Sequence, residues 1–361
     1  LCAAEILSTE FFPEKSHTRG CRFVQTMIES VLVTGASGFL GGRLVEMLLD
    51  AGTPVTVLAR SGSKVPERPG VRVLRADLDA PGVSAEPIER TPELVAALAD
   101  ITHIFHCAGC STDWARLAAY QQANITLTAA MLRLAQQHAP RLERFVHVSS
   151  TDVYGYPKQA GDERMPLRDV GLPYNRTKLL GDQLVQRAIK AREVKATIVR
   201  PASIYGPGGK AFVTDIVALL RQRLMLLVDG GRARGGFVYV DDVCRAMLLA
   251  AVSERALGQT YILSSVDGTS WRTYTRALAE MLQLPAPWLS LPFPAAMALA
   301  RVSQVPHQLG LPGRPLLTRH AVYLLARDQQ YGSAQAREEL GWMPVTPLED
   351  GIARSVVALA K

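Results

Sequence analysis

The stretch "SVLVTGASGFLGGRLVEMLLDAG", residues 30–52, constrains the chain more than any other part of it. A short apolar run ends at Thr34, and three glycines follow at three-residue spacing: Gly35, Gly38 and Gly41. Apolar residues at helical period then run to Ala51-Gly52, a helix stop. This is a strand entering a glycine turn that opens a helix. Gly35 permits the tight turn, Gly38 lets backbone approach a phosphate closely, and Gly41 lets helix and strand pack together. The helix N-terminus offers free N–H groups and partial positive charge to a pyrophosphate. A second glycine run, "YGPGGK" ending at Lys210, does not qualify as a triphosphate loop. Its spacing differs, and Ala211 stands where Ser or Thr is required.

The opening pattern recurs. "PVTVLAR", "VRVLRADL", "HIFHCAG", "RFVHVSS" and "KATIVRP" read as further strands, with helices such as "NITLTAAMLRLAQQHA" between them. The strands are continuously apolar rather than alternating, as in a parallel sheet covered on both faces. The expected fold is α/β: a Rossmann-type doubly wound parallel sheet with a smaller, mainly helical C-terminal substrate lobe over the strand ends. Residues 27–205 form the dinucleotide-binding domain, with 237–265 ("FVYVDDVCRAMLLAA", then "QTYILSS") returning to it. Residues 206–236 and 266–361 form the substrate lobe. Residues 1–26 read as a disordered extension ahead of a natural start at Met27, and lack the basic start and apolar core of a signal peptide.

Composition narrows the function classes. The 361 residues are 48% hydrophobic and 20% charged, as in a folded domain. The net charge of +7 comes from arginines interspersed with acids, without an aromatic-rich basic stripe, which argues against nucleic acid. Five irregularly placed cysteines point to a reducing, cytoplasmic setting. Cys107 and Cys110 form a C-x-x-C with no second ligand pair, so no metal site is expected. No run is long and apolar enough to span a membrane. "PAPWLSLPFPAAMALARVS", with Trp288, Leu291, Phe293 and Met297, reads first as a core helix of the smaller lobe. The other readings are a wall for a hydrophobic ligand and a peripheral membrane contact. Trp114 stands after the fourth strand, where a substrate loop would begin, and reads equally as a packed aromatic.

The second strand ends Ala59-Arg60, where an NAD site usually carries an acid. Arg60 matches a 2′-phosphate, which favours NADP, with NAD as the alternative. In "PYNRTKLLGDQLV", Tyr174 and Lys178 lie four apart on one helix face. An ammonium beside a phenol stabilises the phenolate, so the pair forms a proton-transfer device if a cofactor lies beside it.

"TGASGFLG", Asp77-Leu78, the Asn124 helix, "VSSTDVYG", "YNRTK" and "RPASIYGPG" together resemble the extended short-chain dehydrogenase/reductases, over roughly residues 30 to 355. The resemblance implies that Tyr174 is the acid/base, Lys178 its partner, and Ser150 the residue that orients the reacting oxygen. It places Gly35, Ser37, Gly38, Phe39, Leu40, Gly41 and Arg60 on the cofactor, together with Asn124, Tyr174 and Lys178. Asp77 and Leu78 would meet the adenine and Ala108 and Gly109 would line the cofactor, while Arg200, Pro201 and Ile204 would border the nicotinamide. Thr151-Asp152 is an incomplete version of the acid pair of sugar-nucleotide dehydratases, which disfavours dehydration. "RPASIYGPGG" leading to "LLVDGG", "FVYVDDVCRAMLLAA" and "SAQAREELGWMPVTPLEDGI" are most similar to the 3β-hydroxysteroid dehydrogenase-like branch. The expected activity is alcohol/ketone oxidoreduction on a hydrophobic small molecule. The alternatives are a sugar-nucleotide epimerase or reductase, with Arg232, Arg234 and Arg272 as candidate diphosphate ligands, and a non-catalytic dinucleotide sensor. Family analogy implies a homodimer.

Overall fold

The computed structural model describes residues 28–65, 68–78 and 92–360, so the expectation for residues 1–26 lies outside the described residues. Strand β1 (Val31–Thr34) is wholly buried and runs through the glycine turn into helix α1 (Phe39–Asp50). The helix buries Leu44, Val45 and Leu48 on one face, and its end is marked by Gly52 at φ +77°. β2 (Val55–Ala59), β3 (Val71–Arg75), helix α2 (Pro92–Leu98) and β4 (His103–His106) follow. The next helix starts earlier than its sequence pattern indicates. It comprises α3 (Leu117–Gln121), a π turn at Gln122–Thr126 and α4 (Leu127–His138). β5 (Arg144–Val148), α5 (Pro173–Lys190) and β6 (Ala196–Pro201) complete the first half.

The second half contains β7 (Ile204–Tyr205), α6 (Asp215–Arg221), β8 (Leu226–Val228), β9 (Val238–Tyr239), α7 (Val240–Val252) and β10 (Thr260–Leu263). After these come α8 (Trp271–Met281), β11 (Leu289–Leu291), α9 (Phe293–Gln308), α10 (Arg319–Ala326), α11 (Ala334–Leu340) and α12 (Leu348–Ala358). Seven strands form one sheet in the order β10-β6-β5-β4-β1-β2-β3, and every pairing is parallel. β4, β5 and β6 are buried at every residue, including polar ones such as His103, Arg144 and Arg200. β3, at the edge, alternates instead. β7 and β9 pair in a small second sheet, and β8 and β11 in a third.

The strand order reverses between β1 and β4, so the loops leaving these strands diverge and open a crevice. The two halves share a core. One apolar cluster joins Val31 and Leu44 to Tyr274, Met297, Trp342 and Ile352.

Candidate active site at the sheet's switch point

The loops after β1 and β4 are stitched together where they diverge. His106 Nδ1 lies 2.8 Å from Thr34 Oγ1 and its Nε2 3.1 Å from Thr128 Oγ1, while Ala108 N–H donates to Thr34 Oγ1 at 3.2 Å. Burial holds His106 well below the usual imidazole range. Gly35, at φ +75°, is pressed against this loop: a Cβ there would lie 2.6 Å from Ala108 N. A Cβ on Gly41 would lie 2.4 Å from Gly35 O, so the helix sits directly on the turn. Gly38 is the N-cap of α1, with no side-chain cap and no acid in the first turn. Ser37 and Gly38 are exposed, as is Gly109 across the crevice. This is a backbone cradle of the kind that accepts a pyrophosphate. Phe39 reaches to the turn after β7, its ring 3.4 Å from the site of a Cβ on Gly206. Leu40 is half-buried beside it, with its carbonyl facing the Cys244 thiol.

At the end of β2, Arg60 is exposed and directed away from the core. Asp77 accepts from Ser61 N at 3.0 Å and from Ser61 Oγ at 2.6 Å, hydrogen bonds that hold its carboxyl below the usual range. Leu78 is buried behind it. Arg75, which no motif singled out, donates to the carbonyls of Arg60, Ser61 and Ser63 and gathers this loop around a cation.

The catalytic candidates converge on the other side of the crevice. Proline at the start of α5 sets the helix entry, and the helix turns Tyr174 and Lys178 inward together. Lys178 Nζ donates to Val148 O, the end of β5, at 3.0 Å. A Cβ on Gly109 would sit 3.2 Å from this Nζ and 3.0 Å from Asn124 Oδ1, so Gly109 lies against both residues. Asn124 occupies the π turn. It accepts from Cys110 N at 2.9 Å and donates to Thr177 Oγ1 at 3.0 Å, joining the β4 loop to α5. Gly181 permits this approach, since a Cβ there would fall 2.3 Å from Asn124 O.

Burial pushes Lys178 down to about 8, opposed by the negative charge of Asp182 one turn on. Burial pushes the Tyr174 phenol up, and the Asp152 carboxylate adds to this, while a hydrogen bond with the Ser150 hydroxyl acts in the opposite sense. Ser150 caps the short turn Thr151–Tyr154 by accepting from Asp152 N at 3.2 Å. Pro201 and Ile204 close the far end, at the tips of β6 and β7.

Two placements depart from the sequence reading. Arg200 does not face the crevice. Its guanidinium grips both oxygens of Asp182 at 2.9 and 2.8 Å and donates to Tyr154 OH at 2.7 Å, all buried. Asp182 also accepts from Ser149 Oγ at 2.5 Å, so this pair supports the strand end that carries Ser150. The second departure is His320, which the sequence reading did not single out. It lies buried on α10, stacked on Tyr174 with centroids 5.1 Å apart, and its Nε2 is 2.9 Å from Asp152 Oδ2. Tyr156 OH donates to the same carboxylate oxygen at 2.8 Å. Helix α10, in the C-terminal part of the chain, thus reaches the tyrosine through a residue 146 positions further along, with no local motif to reveal it. Cys107 and Cys110 flank the crevice, and burial pushes the Cys107 thiol up to about 12. No metal-holding group of side chains occurs among the described residues.

Residues 31–263 match the model of the "NAD dependent epimerase/dehydratase family". Among curated relatives, a Stigmatella aurantiaca protein named 4-hydroxy-2-methyl-3-oxo-4-farnesyl-3,4-dihydroquinoline-1-oxide ketoreductase is 32% identical over 319 residues. That alignment covers 86% of this chain and 90% of the relative. A Mycobacterium tuberculosis (strain ATCC 25618 / H37Rv) 3 beta-hydroxysteroid dehydrogenase/Delta 5-->4-isomerase is 29% identical over 337 residues, covering 89% and 87%. Among solved structures, MoeE5 in complex with UDP-glucuronic acid and NAD superposes with a TM-score of 0.69 at 24% identity, covering 92% of this chain and 99% of that one.

Proposed function

The chain belongs to the NAD-dependent epimerase/dehydratase family, on the 3β-hydroxysteroid dehydrogenase-like branch of the extended short-chain dehydrogenase/reductases. From that premise we propose that it is an NADP-dependent oxidoreductase interconverting a secondary alcohol and a ketone on a lipophilic substrate. The observation that carries this reading is the convergence of Tyr174, Lys178 and Ser150 on the crevice that the glycine turn borders.

The residues present fit a dinucleotide. The bare N-cap at Gly38 and the exposed backbone of Gly109 suit a pyrophosphate, and the loop held by Arg75 presents Arg60 to the ribose end. A nicotinamide dinucleotide bound there supplies or takes up the hydride. Tyr174 gives a proton to the carbonyl oxygen during reduction and removes one from the hydroxyl during oxidation. Ser150 orients that oxygen by hydrogen bonding. Lys178 stays cationic below about pH 8 and makes the phenolate less costly. Asn124 is bonded to Thr177 along the back of the site, and Gly109 lies against both Asn124 and Lys178.

Arg60, which follows β2 where an NAD site usually carries an acid in the sequence, supports NADP over NAD. The lipophilic substrate class is supported by the farnesylated quinoline and the steroid in the relatives' names. The sugar-nucleotide alternative is weaker on the arginines proposed for it. Arg234 is held by Asp328, and Arg272 Nε donates to Gly230 O at 2.7 Å, which leaves only Arg232 exposed without such a partner among the described residues.

The test is calorimetric binding of NADPH and NADH to the wild type and to Tyr174→Phe, followed by a ketone screen led by steroids and keto-lipids. Tight NADPH binding in both proteins, with turnover only in the wild type, is expected. Retained turnover in Tyr174→Phe would remove the acid/base role, and preference for NADH would move the reading to sugar nucleotides.

A further inference from the structure

The Asp152 carboxylate lies close enough to Tyr174 to push the phenol up, second only to burial. A fixed negative charge beside a proton-transfer tyrosine disfavours the phenolate. The protein meets that charge with two donors from distant segments. Tyr156 OH donates to Asp152 Oδ2 at 2.8 Å, and His320 Nε2 donates to the same oxygen at 2.9 Å. A carboxylate oxygen only accepts, so the imidazole carries a proton at Nε2. Tyr156 reaches the oxygen from a left-handed backbone, φ 56°, which an aromatic residue adopts only where its surroundings hold it.

Packing alone does not account for an imidazole at this position. The other ring nitrogen of His320, Nδ1, is buried without a hydrogen-bond partner among the described residues. A phenylalanine would stack as well and leave no orphaned polar atom. The His320 ring lies on the Tyr174 ring, with centroids 5.1 Å and planes 29° apart, and its centroid is 5.7 Å from that of Tyr156. Its helix is fixed at the crevice. Thr318 caps α10 by accepting from Ala321 N at 3.0 Å and donates to Asp113 Oδ2 at 2.8 Å, while Arg314 pairs with Asp113 at 3.0 Å. Asp113 belongs to the loop after β4, which also carries Ala108 and Gly109. The other groups facing the phenol come from further elements. The Ser150 hydroxyl favours the phenolate, and Tyr120 of α3 and Cys110 of the β4 loop oppose it. Lys178, four residues along α5, and Tyr331 also feel the Asp152 charge.

We propose that His320 is a positioning residue for proton transfer: through Asp152, and through its stack on the ring, helix α10 governs the charge that Tyr174 faces and the orientation of its phenol. The role rests on Tyr174 being the acid/base. The Nε2–H offsets part of the carboxylate's charge and Tyr156 OH offsets another part, so the phenolate is less disfavoured than beside a bare carboxylate. The single acid of the incomplete Thr151-Asp152 pair thereby has a use other than dehydration. Because the imidazole arrives only with α10, the proton-transfer properties of a residue on α5 are complete only once the C-terminal part of the chain has packed against it.

The experiment is an NMR titration of the full chain, labelled with carbon-13 at the tyrosine ζ position and saturated with NADP+. The Tyr174 signal is identified by its absence from Tyr174→Phe. Asp152→Asn should lower the Tyr174 midpoint by about one pH unit, the small end of the effect of a close charge. His320→Phe, which keeps a flat ring on Tyr174 but no donor, should raise it by a smaller amount. His320→Gln, which restores a donor, should bring it back toward the wild type. Adding His320→Phe to Asp152→Asn should have no further effect, because the charge that the imidazole offsets is gone. An unmoved or lowered midpoint in His320→Phe, or the same shift with and without Asp152, would overturn the proposal, as would a phenol that titrates in none of the variants. A purely structural role would lower the melting temperature of both His320 variants and leave the midpoints alone, which also overturns it. Calorimetric NADP+ binding by the same samples separates the two failures. No binding by the wild type would strike the catalytic reading, and the order of midpoints in the ligand-free chain would then decide the role of His320.

Discussion

Replacing Lys178 by Met should stabilise the protein at neutral pH while destroying its catalysis. Lys178 is buried, and burial lowers it from 10.5 to about 8, so the folded state disfavours its charge. At about 1.4 kcal/mol for each tenfold change, this amounts to about 3 kcal/mol below pH 8. Methionine fills similar space without charge, but leaves Val148 O without its 3.0 Å donor, a loss of about 1 kcal/mol. The net gain is about 2 kcal/mol. With about 2.1 cal/mol/K of unfolding entropy per residue, this corresponds to a rise of roughly 3 °C in melting temperature. The pH dependence follows from linkage. Below pH 8 the lysine is protonated in both states and the folded state bears the full cost. Between pH 8 and 10.5 the unfolded state binds more protons, so wild-type stability rises relative to the variant. Above 10.5 both states are neutral and the cost is gone. Thermal melts of both proteins at pH 7 and pH 10 should therefore show the variant's advantage at pH 7 and a much smaller one at pH 10. A variant less stable at pH 7, or an advantage that does not change with pH, would refute the account of Lys178 as a desolvated cation kept for function.

Arg60→Asp should weaken NADPH binding far more than NADH binding in parallel titrations; equal losses would remove the 2′-phosphate argument. Gly41→Ala should cost about 1–3 kcal/mol in denaturant melts and reduce dinucleotide affinity, because its methyl would lie 2.4 Å from Gly35 O. Gly62→Ala, with nothing within 4 Å, should change neither. Arg200→Met should cost about 3–5 kcal/mol by leaving Asp182 buried and unpaired, and Arg200→Met/Asp182→Leu should recover part of it; additive losses would show that the two act separately.

The parts of this protein that could be read in advance depend on short spacings. The inner strands of the sheet announce themselves as mainly apolar runs because both faces of the sheet are covered there, whereas β3, at the edge, alternates. The glycine turn and the Tyr174–Lys178 pair lie within one or two turns of helix, so their geometry follows from backbone period. Arg200 could not be placed this way. Its partner Asp182 sits on α5, and only the packing of α5 against β6 decides that the guanidinium turns inward. His320 and Arg75 escaped for the same reason, since each acts on residues that the tertiary fold brings to it. The apolar segment at α9 has the composition of a core helix. Composition does not say which face of a helix is covered, and here only one is.

The seventh strand brings a constraint of timing. β10 pairs with β6, yet 58 residues separate Pro201 from Thr260. Until synthesis has passed Leu263, β6 presents an open parallel edge, the kind of surface that recruits other chains. The last pieces of the common core, Trp342 and Ile352, leave the ribosome later still. Tyr174 therefore exists as sequence long before its surroundings do, and a chain cut short anywhere before the final helix carries an exposed strand edge, an unfilled core, or both. Quality control would recognise such fragments by their stickiness rather than by lost activity.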